Sequence, residues 1–324
     1  NIFHQMSTRK VIKTSNAPEP VGPYNQAIKA GGFIYCSGQI AIDPVSNEIN
    51  CLGNIEQETT QVLKNLLAVL DAGGAKAKDV IKTKKHILVE KPLCTNTKDC
   101  LEIKKLTKDY PSVFWTAMEY RYMPPVSKFI NEIHNNKIGD LKTLTIREHR
   151  FPFLKKVNDW NRFEENTGGT LVEKCCHFFD LMNLITQSQA IKVFASGGIG
   201  VNHLDECYSG KKPDIIDQAF VIVEFANGMR ASLDLCMFAE GSLFQEEIVA
   251  VGSAGKVECK LPGPDRFWPE DLGKPPTPEL IFSPRFPKGV SRKEVTVDPL
   301  ILAAGDHHGS TFYQHQRFQQ VVLG

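Results

Sequence analysis

Residues 87–93 read Ile87-Leu88-Val89-Glu90-Lys91-Pro92-Leu93. Three apolar residues run into a charged pair and then a proline, which predicts a buried β-strand that ends abruptly. Because proline lacks a backbone donor and favours extended geometry in the preceding residue, we expect Lys91 at the carboxyl end of that strand. Ligands of open α/β sheets bind outside this end. A partly desolvated lysine placed there is suited to proton transfer.

Composition restricts the class of protein. The 324 residues predict two domains or one large one, and 42% hydrophobic with 23% charged residues is ordinary for a globular protein. A formal net charge of +1 favours neither nucleic acid nor an anionic membrane. The sequence shows no signal peptide and no membrane-spanning run, so we predict no membrane partner and no nucleic-acid partner.

Cysteine usage indicates a reducing compartment. The nine cysteines are scattered and never spaced as Cys-x-x-Cys, which predicts reduced thiols and a cytoplasmic location. Cys175-Cys176-His177 is the one local cluster of metal-ligand types. Adjacent helical residues point apart, so we predict no metal site there.

The chain before residue 84 shows a strand–helix–strand order. Strands are predicted at 10–14, 33–42 and from 79 onward, and a helix from about Glu56. Apolar residues follow one face of that helix, and Gly73-Gly74 ends it. The chain begins with Asn1, and Met6 is a plausible start, so residues 1–5 are interpreted as a leader or as the mark of a fragment.

Three motifs in this segment resemble the first half of the reactive intermediate deaminase (Rid) family. They are Gly22-Pro23-Tyr24-Asn25-Gln26-Ala27, Tyr35-Cys36-Ser37-Gly38-Gln39-Ile40 and Asp79-Val80-Ile81-Lys82-Thr83. The resemblance implies a chorismate-mutase-like β-α-β segment, a cleft lined by Tyr24 and Gly38, and trimers that hydrolyse enamines and imines. It stops at Thr83. The carboxylate-binding arginine and late glutamate of the family's second half do not follow, so we expect no deaminase activity.

Residues 84–324 change from alternating α/β to mostly antiparallel sheet. A helix capped by Thr97, a strand over 112–120 and a helix opened by Pro124-Pro125 predict part of a parallel sheet. Further strands are predicted at 142–151, 191–200, 217–225, 230–238 and 245–261, with Asn227-Gly228 as a tight hairpin turn. The proline-rich stretch 262–288 predicts an irregular loop.

A helix near residue 173 carries the residues with the clearest chemistry. Glu173, His177 and Asp180 stand at i, i+4 and i+7, which places them on one helical stripe. A carboxylate beside an imidazole can fix its tautomer and raise its basicity, as a general base needs when a hydroxyl loses a proton and its carbon loses hydride. The alternatives are structural: Thr170 and Glu173 fit a capping box, and a lone helical histidine is more often structural.

Several motifs after residue 84 resemble the glucose–fructose oxidoreductase/inositol dehydrogenase (Gfo/Idh/MocA) family. They are Glu90-Lys91-Pro92, the Arg121-Tyr122-x-Pro124 run, Lys137-Ile138-Gly139-Asp140, the Gly168-Gly169 helix with His177 and Asp180, and the late Gly305-Asp306-His307 loop. One departure is Glu173, where the family usually has aspartate.

The family resemblance implies roles for these residues. His177 would be the acid/base, assisted by Lys91 and Glu173, on a polyol or sugar-like hydroxyl. Substrate contacts would come from Asp180, Trp160, Asn161 and His307. Contacts to NAD or NADP would come from Glu90, Lys91, Pro92, Tyr120 and Arg121. The resemblance also implies a homo-oligomer.

The phosphate-binding part of a dinucleotide fold is missing from the sequence. No Gly-x-Gly-x-x-Gly occurs, and Gly73-Gly74 follows a helix, where the dipole has the wrong sign for phosphate. The prediction is therefore an NAD(P)-dependent oxidoreductase that is inactive if the dinucleotide does not bind. The alternatives are a Rid-type 2-iminobutanoate/2-iminopropanoate deaminase and a non-catalytic fusion or chimera.

The predicted fold class is α/β plus α+β. A partial Rossmann-like parallel sheet joins a mostly antiparallel sheet domain, and a Rid-like β-α-β segment precedes both. The predicted domains are 1–5 leader, 6–83 truncated Rid-like segment, 84–122 remaining half of the dinucleotide-binding domain, and 123–324 substrate and oligomerisation domain.

Overall fold

A computed structural model describes residues 9–21, 24–31, 33–49, 54–76, 86–302 and 307–324. The strand predicted from residue 79 and the leader at 1–5 lie outside these ranges. The chain divides into two compact units. One contains residues 1–87 and 109–114, and the other contains residues 88–108 and 115–324.

The first unit contains a small antiparallel sheet and one long helix. Strands β1 (Lys10–Ile12), β2 (Ala27–Ala30) and β3 (Phe33–Cys36) pair in that order. Helix α1 (Ile55–Ala72) is capped by Asn54, whose side chain accepts from the Gln57 N–H. The predicted strand over 33–42 is shorter than expected, since β3 ends at Cys36.

Two short strands flank the second helix. Strands β4 (Ile87–Glu90) and β5 (Phe114–Ala117) pair with each other. Helix α2 (Thr97–Thr107) lies between them in the chain. The cap predicted at Thr97 is wrong by one residue, because the Asn96 side chain accepts from the Asp99 N–H.

The second unit is built on an eight-stranded sheet, in the order β13-β12-β11-β10-β6-β9-β8-β7. Its neighbours pair antiparallel except β6 with β9, which are parallel. The strands are β6 (Leu141–His149), β7 (Ala190–Gly198), β8 (Gln218–Phe225), β9 (Arg230–Cys236), β10 (Glu246–Gly252), β11 (Gly255–Leu261), β12 (Glu279–Pro284) and β13 (Ser291–Glu294).

Helices connect and cover these strands. They are α3 (Pro124–His134), α4 (Glu164–Thr167), α5 (Thr170–Glu173), α6 (Cys176–Thr186), α7 (Pro299–Leu302) and α8 (Ser310–Leu323). Short 3-10 turns add Glu119–Tyr122, Val157–Arg162, Asp265–Phe267, Glu270–Leu272 and His307–Gly309.

One face of the large sheet forms the core with α3 and α6. Alternate residues of β6, β8, β9, β10 and β11 are buried, as the period-2 pattern predicts. Helix α3 contributes Phe129 and helix α6 contributes Phe178, both fully buried. Each such side chain stabilises the fold by roughly 1.5–3 kcal/mol. The hairpin predicted at Asn227-Gly228 is confirmed, since it joins β8 to β9.

Two predicted elements differ from the structure. The proline-rich stretch 262–288 contains strand β12, which pairs along β11 from Glu279 to Pro284. The prolines lie mostly before the strand and at its last residue, where a missing N–H is tolerated. The predicted single helix around residue 173 is interrupted, because α5 ends at Glu173 and α6 begins at Cys176.

Candidate functional site

Lys91 lies directly after β4, at the predicted end of that strand. Its Nζ donates to the backbone carbonyl of Glu173 at 2.8 Å. Burial lowers the pKa of Lys91, and the nearby Lys174 ammonium lowers it further, while Cys176 and Glu173 oppose the shift. Glu90 is exposed, and its carboxylate accepts from the Lys91 N–H. Pro92 follows through a cis peptide bond. The lysine therefore reaches the segment that carries His177.

Two left-handed glycines bring that segment close to the chain after β4. Gly168 and Gly169 have φ of 75° and 81°. A side chain at Gly168 would lie 2.7 Å from the Thr95 carbonyl oxygen, so only glycine fits this approach. The predicted capping box is wrong. The Thr170 hydroxyl donates to the Ile216 carbonyl instead, and Gly169 occupies the cap.

Glu173 does not hydrogen-bond to the imidazole of His177. Its Oε1 accepts from Lys156 Nζ at 3.3 Å. Its Oε2 is buried without a hydrogen-bond partner among the described residues. The interruption between α5 and α6 takes Glu173 off the regular helix on which His177 and Asp180 lie.

His177 is buried against a tyrosine ring. Only 2% of His177 is exposed, and its imidazole stacks on Tyr120 with centroids 4.1 Å apart and ring planes 10° apart. Within the described chain, Nδ1 has no hydrogen-bond partner. Burial lowers the pKa of His177 well below 6.5, and the positive charges of Lys91, Lys174 and His307 lower it further. The imidazole is therefore neutral at pH 7 and can accept a proton.

Tyr120 is held by two charged groups that sequence reasoning missed. The Tyr120 hydroxyl donates to Glu246 Oε1 at 2.9 Å and accepts a short hydrogen bond from Lys174 Nζ. Lys174 Nζ also lies 3.0 Å from Glu148 Oε1 and 3.8 Å from Glu246 Oε1. Arg150 Nη1 approaches Glu148 Oε1 at 3.5 Å. Tyr120, Glu148, Lys174 and Glu246 are at most 4% exposed, and we name them the Lys174 cluster.

The two carboxyl groups of the Lys174 cluster titrate differently. Burial raises the pKa of Glu148 to about 7, against the opposing charges of Lys174 and Arg150. Burial alone would raise the pKa of Glu246 as well. The charges of Lys174, His307 and His308 and the Tyr120 hydrogen bond together lower it. The cluster therefore holds one reliably ionised carboxylate and one that titrates near neutral pH.

The burial of Glu148 and Glu246 could have been predicted from their positions in the sequence. Glu148 is in phase with the buried Leu144 and Ile146 on β6, and Glu246 is in phase with Ile248 on β10. A charged residue at a core-facing strand position predicts a buried, partnered group. No comparable pattern marks Lys174.

Asp180 and Arg121 bind each other. Arg121 Nε donates to Asp180 Oδ2 at 2.5 Å, and Nη2 makes a second, shorter bond to Oδ1. This hydrogen bonding raises the pKa of Arg121. The predicted substrate contact and the predicted cofactor contact are thus already paired in this structure.

The other predicted substrate residues differ in burial and in their contacts. Asn161 is fully buried, its Nδ2 donates to the Leu154 carbonyl, and its Oδ1 accepts from the Lys156 N–H. Trp160 is 37% exposed beneath Lys156 Nζ at 5.0 Å. His307 lies with its ring centroid 5.3 Å from that of Tyr120. Trp160 is partly exposed, His307 Nε2 lies 3.8 Å from Glu119 Oε1, and Asn161 supports the backbone.

A cavity of about 220 Å³ lies beside His307. Its lining includes Glu246, Asp265, Arg266 and His308. It therefore connects the Lys174 cluster to a mixed-charge surface through Glu246.

The starts of α1 and α2 do not suit the pyrophosphate of a dinucleotide. Such a group needs free N–H groups at a helix start. The starts of α1 and α2 are capped by their own Asn54 and Asn96 side chains, and Asp99 lies in the first turn of α2. A carboxylate there repels phosphate. Tyr120, predicted to meet the nicotinamide, is 1% exposed within the core.

The predicted Rid-like cleft is small. Tyr24 and Gly38 both line a cavity of about 20 Å³ together with Gln26. That volume holds about one water molecule. The Tyr24 hydroxyl accepts from the Val21 N–H at 3.2 Å.

Two family models match the chain. The model described as "Oxidoreductase family, C-terminal alpha/beta domain" matches residues 130–266. The model described as "Endoribonuclease L-PSP" matches residues 14–97, ending beyond the motifs that stop at Thr83.

Curated relatives match the N-terminal part. A RutC family protein of Pyrococcus horikoshii is 38% identical over 125 residues, which cover 39% of this chain and 90% of the relative. A 2-iminobutanoate/2-iminopropanoate deaminase of Dermatophagoides farinae is 44% identical over 77 residues, which cover 24% of this chain and 59% of the relative.

Solved structures match the larger part of the fold. Levoglucosan dehydrogenase in complex with NADH and levoglucosan has a TM-score of 0.57 at 17% identity, covering 80% of this chain and 67% of that one. An oxidoreductase domain protein from Kribbella flavida has a TM-score of 0.56 at 19% identity, covering 80% and 68%. At these identities the likeness establishes the fold.

Proposed function

Because the chain belongs to the RutC family through its N-terminal segment and carries the C-terminal domain of the Gfo/Idh/MocA oxidoreductases, we propose that it binds a polyol or sugar-like molecule at a proton-transfer site formed by Lys91 and His177. His177 lies within the oxidoreductase match at residues 130–266, and Lys91 lies within the L-PSP match at residues 14–97. The N-terminal segment replaces the half that would hold the dinucleotide pyrophosphate.

The contact between Lys91 and Glu173 is the observation that carries this proposal. Lys91 Nζ donates to the Glu173 carbonyl at 2.8 Å, four residues before His177 in the chain. This contact joins residues that are 82 positions apart in the chain. It brings Lys91, whose pKa is lowered, to the segment that carries the neutral imidazole of His177. Perturbed titratable groups that converge in this way are typical of functional sites.

Each group has a role that its own chemistry supports. The neutral imidazole of His177 accepts the proton of a bound hydroxyl, and the Lys91 ammonium donates a hydrogen bond to the same oxygen. Trp160 supplies an aromatic surface for the apolar face of a sugar ring. When bound, a nicotinamide cofactor supplies a hydride acceptor in this family. The starts of α1 and α2 are occupied by their own caps, so the proposal extends to binding and proton transfer.

Ligand-detected NMR with a panel of myo-inositol, D-glucose and levoglucosan tests the proposal. We expect saturation transfer to at least one member of the panel, reduced about tenfold or more in affinity by Lys91→Ala and by His177→Ala. Lys192→Ala, on the exposed edge strand β7, is the matched control and should bind as wild type. Equal binding by all four proteins, or no binding by wild type, would contradict the proposal.

A second candidate is imine hydrolysis by the Rid-like segment. The relative from Dermatophagoides farinae and the presence of Tyr24 and Gly38 favour it. The cavity of about 20 Å³ and the missing carboxylate-binding arginine weigh against it. We therefore propose that this segment does not turn over imines.

We also propose that the chain forms a homo-oligomer through the open face of its large sheet. Phe194, Phe220 and Ile222 are 47%, 64% and 46% exposed on that face. Strand pairing places Phe194 opposite Ile222, so these apolar side chains form one patch. Arg147 bonds Asp234 and Glu247 beside it. An apolar patch rimmed by such charges is typical of a protein interface.

A further inference from the structure

The imidazole of His177 is oriented by stacking rather than by a carboxylate. Sequence reasoning assigned its orientation to Glu173, but the Glu173 carboxylate accepts from Lys156. In the described structure Nδ1 of His177 meets no hydrogen-bond partner. The phenol ring of Tyr120 stacks nearly parallel on the face of the imidazole, with the ring centroids 4.1 Å apart.

Tyr120 is itself fixed at its far end. Its hydroxyl accepts from Lys174 and donates to Glu246, so both hydrogen-bonding directions of the phenol are used. Lys174 is held in turn by Glu148 at 3.0 Å. A side chain with a stacked face and a doubly bonded hydroxyl has little freedom to rotate or slide.

We propose that Tyr120, held by Lys174 and Glu246, is the positioning residue of His177. The stack sets the plane of the imidazole, and the two bonds at the hydroxyl set the position of the stack. This inference rests on the proposed proton-transfer role of His177 and adds residues to it.

The Lys174 cluster also sets the charge around His177. The groups that face the imidazole are Lys91 from the end of β4, Lys174 from the interruption between α5 and α6, and His307 from the turn before α8. Glu148 and Glu246 offset the Lys174 charge from strands β6 and β10. Removing Lys174 therefore changes both the position of Tyr120 and the field at His177.

Histidine ¹⁵N NMR measures position and field directly. The tautomer and pKa of His177, assigned with a His177→Gln sample, are read in wild type and in three variants. In Tyr120→Phe the ring remains but its two bonds are lost, so we expect the two His177 nitrogen signals to move toward an averaged tautomer. In Lys174→Met we expect the pKa of His177 to rise, because a neighbouring cation is removed. In Glu173→Gln we expect the wild-type tautomer.

Two further variants separate positioning from stability. Tyr122→Phe changes a tyrosine in the same 3-10 turn that contacts Trp115, and should leave the His177 signals unchanged. Lys174→Met with Glu148→Gln removes one positive and one negative charge and so leaves the net charge of the cluster unchanged. It is therefore expected to be less destabilised than Lys174→Met alone. Because it loses the Lys174 bond at the Tyr120 hydroxyl, we expect its His177 signals to move toward the averaged tautomer of Tyr120→Phe, while its His177 pKa shifts less than in Lys174→Met alone.

The outcomes distinguish this inference from the proposed function. A His177 tautomer that is unchanged in Tyr120→Phe and in the double variant overturns the inference, whether or not Glu173→Gln moves it. If no compound of the panel changes the ¹⁵N signals of His177 in the wild-type protein, the proposed function is contradicted. The comparison of variants still decides the positioning role in that case.

Discussion

Glu148 is a carboxyl group that lies on the core face of a strand and is completely buried. Burial raises its pKa to about 7, because Lys174 and Arg150 only partly compensate the charged form. An acid whose pKa is raised in the folded state binds its proton more tightly there than in the unfolded chain. Its contribution to stability is therefore largest below pH 4.5 and is lost as the pH rises toward 7.

Glu148→Gln is expected to remove this loss. The free energy of unfolding of the variant minus that of wild type should increase by about 2 kcal/mol between pH 5 and pH 8, since one pKa unit corresponds to about 1.4 kcal/mol. Urea denaturation at both pH values measures the difference. Exposed Glu240→Gln is the control and should show the same difference from wild type at both pH values. A gain in the opposite direction would show that the charged form of Glu148 is the stabilising one.

At the scale of the element, the turn from Gly252 to Gly255 depends on close backbone approach. A side chain at Gly252 would overlap the Ile138 carbonyl oxygen, and the Ala254 N–H donates to that same oxygen at 2.8 Å. The β10–β11 hairpin is thereby joined to the chain that follows α3. This packing explains why the residue is glycine although the strand before it is β-branched and apolar.

We expect Gly252→Ala to lower the free energy of unfolding by roughly 1–3 kcal/mol, as overpacking does elsewhere. Gly241→Ala is the matched control, because a side chain there meets no atom within 4 Å. It should change stability by less than about 0.5 kcal/mol. Thermal and urea denaturation of the two variants check the comparison, and equal effects would show that the Gly252 contact relaxes without cost.

We expect the Rid-like segment to have no deaminase activity. We expect hydrolysis of 2-iminopropanoate at the rate of buffer, because Tyr24 and Gly38 face a cavity of about 20 Å³ and no carboxylate-binding arginine accompanies them. Tyr24→Phe should leave that rate unchanged. Turnover above the buffer rate that disappears in Tyr24→Phe would refute the expectation. The assay follows imine generated in place by an amino-acid oxidase.

At the scale of the whole molecule, the chain combines parts of two families. The oxidoreductase match covers residues 130–266, and the L-PSP match covers residues 14–97. Within the part of the chain that the structure describes, no helix is long and apolar enough to cross a bilayer. What the combination lacks, by sequence, is a glycine-rich phosphate loop.

We therefore expect weak or no binding of NAD or NADP by the whole chain. Affinity for these cofactors depends heavily on the pyrophosphate, and the starts of α1 and α2 are both capped by asparagine. Isothermal titration calorimetry should show no saturable binding at micromolar concentration. Saturable micromolar binding that is lost in Lys91→Ala would show that another part of the chain supplies the phosphate site.

The proposed homo-oligomer is tested at the same scale. Phe220→Asp places a charge in the apolar patch of the open sheet face and should reduce the mass measured by light scattering to that of a monomer. Leu300→Asp is the control, because Leu300 lies in α7 and is also exposed, at 82% against 64% for Phe220. A mass that is the same in wild type and Phe220→Asp would place any association elsewhere.

Local patterns in the sequence were sufficient for the elements and for Lys91. The sequence predicted strands β6 to β11 of the large sheet, Asn227-Gly228 predicted its hairpin, and proline after Glu90-Lys91 placed the lysine at a strand end. These features depend on neighbouring residues, since backbone propensity and side-chain period act over a few positions. The strand β12 was missed, because its pairing with β11 outweighs the proline-rich surroundings.

The partners of the site were decided by tertiary structure. Regular spacing placed Glu173 beside His177, but the chain interrupts the helix between them and leaves Glu173 bonded to Lys156. Lys174, which lies in that interruption, instead reaches Tyr120, Glu148 and Glu246 on three other elements. Contacts between residues 26 to 126 positions apart depend on how whole strands and helices pack. The spacing of residues along one helix or strand does not predict these contacts. A buried charged group pairs with whichever charged or polar group lies close to it in the folded core.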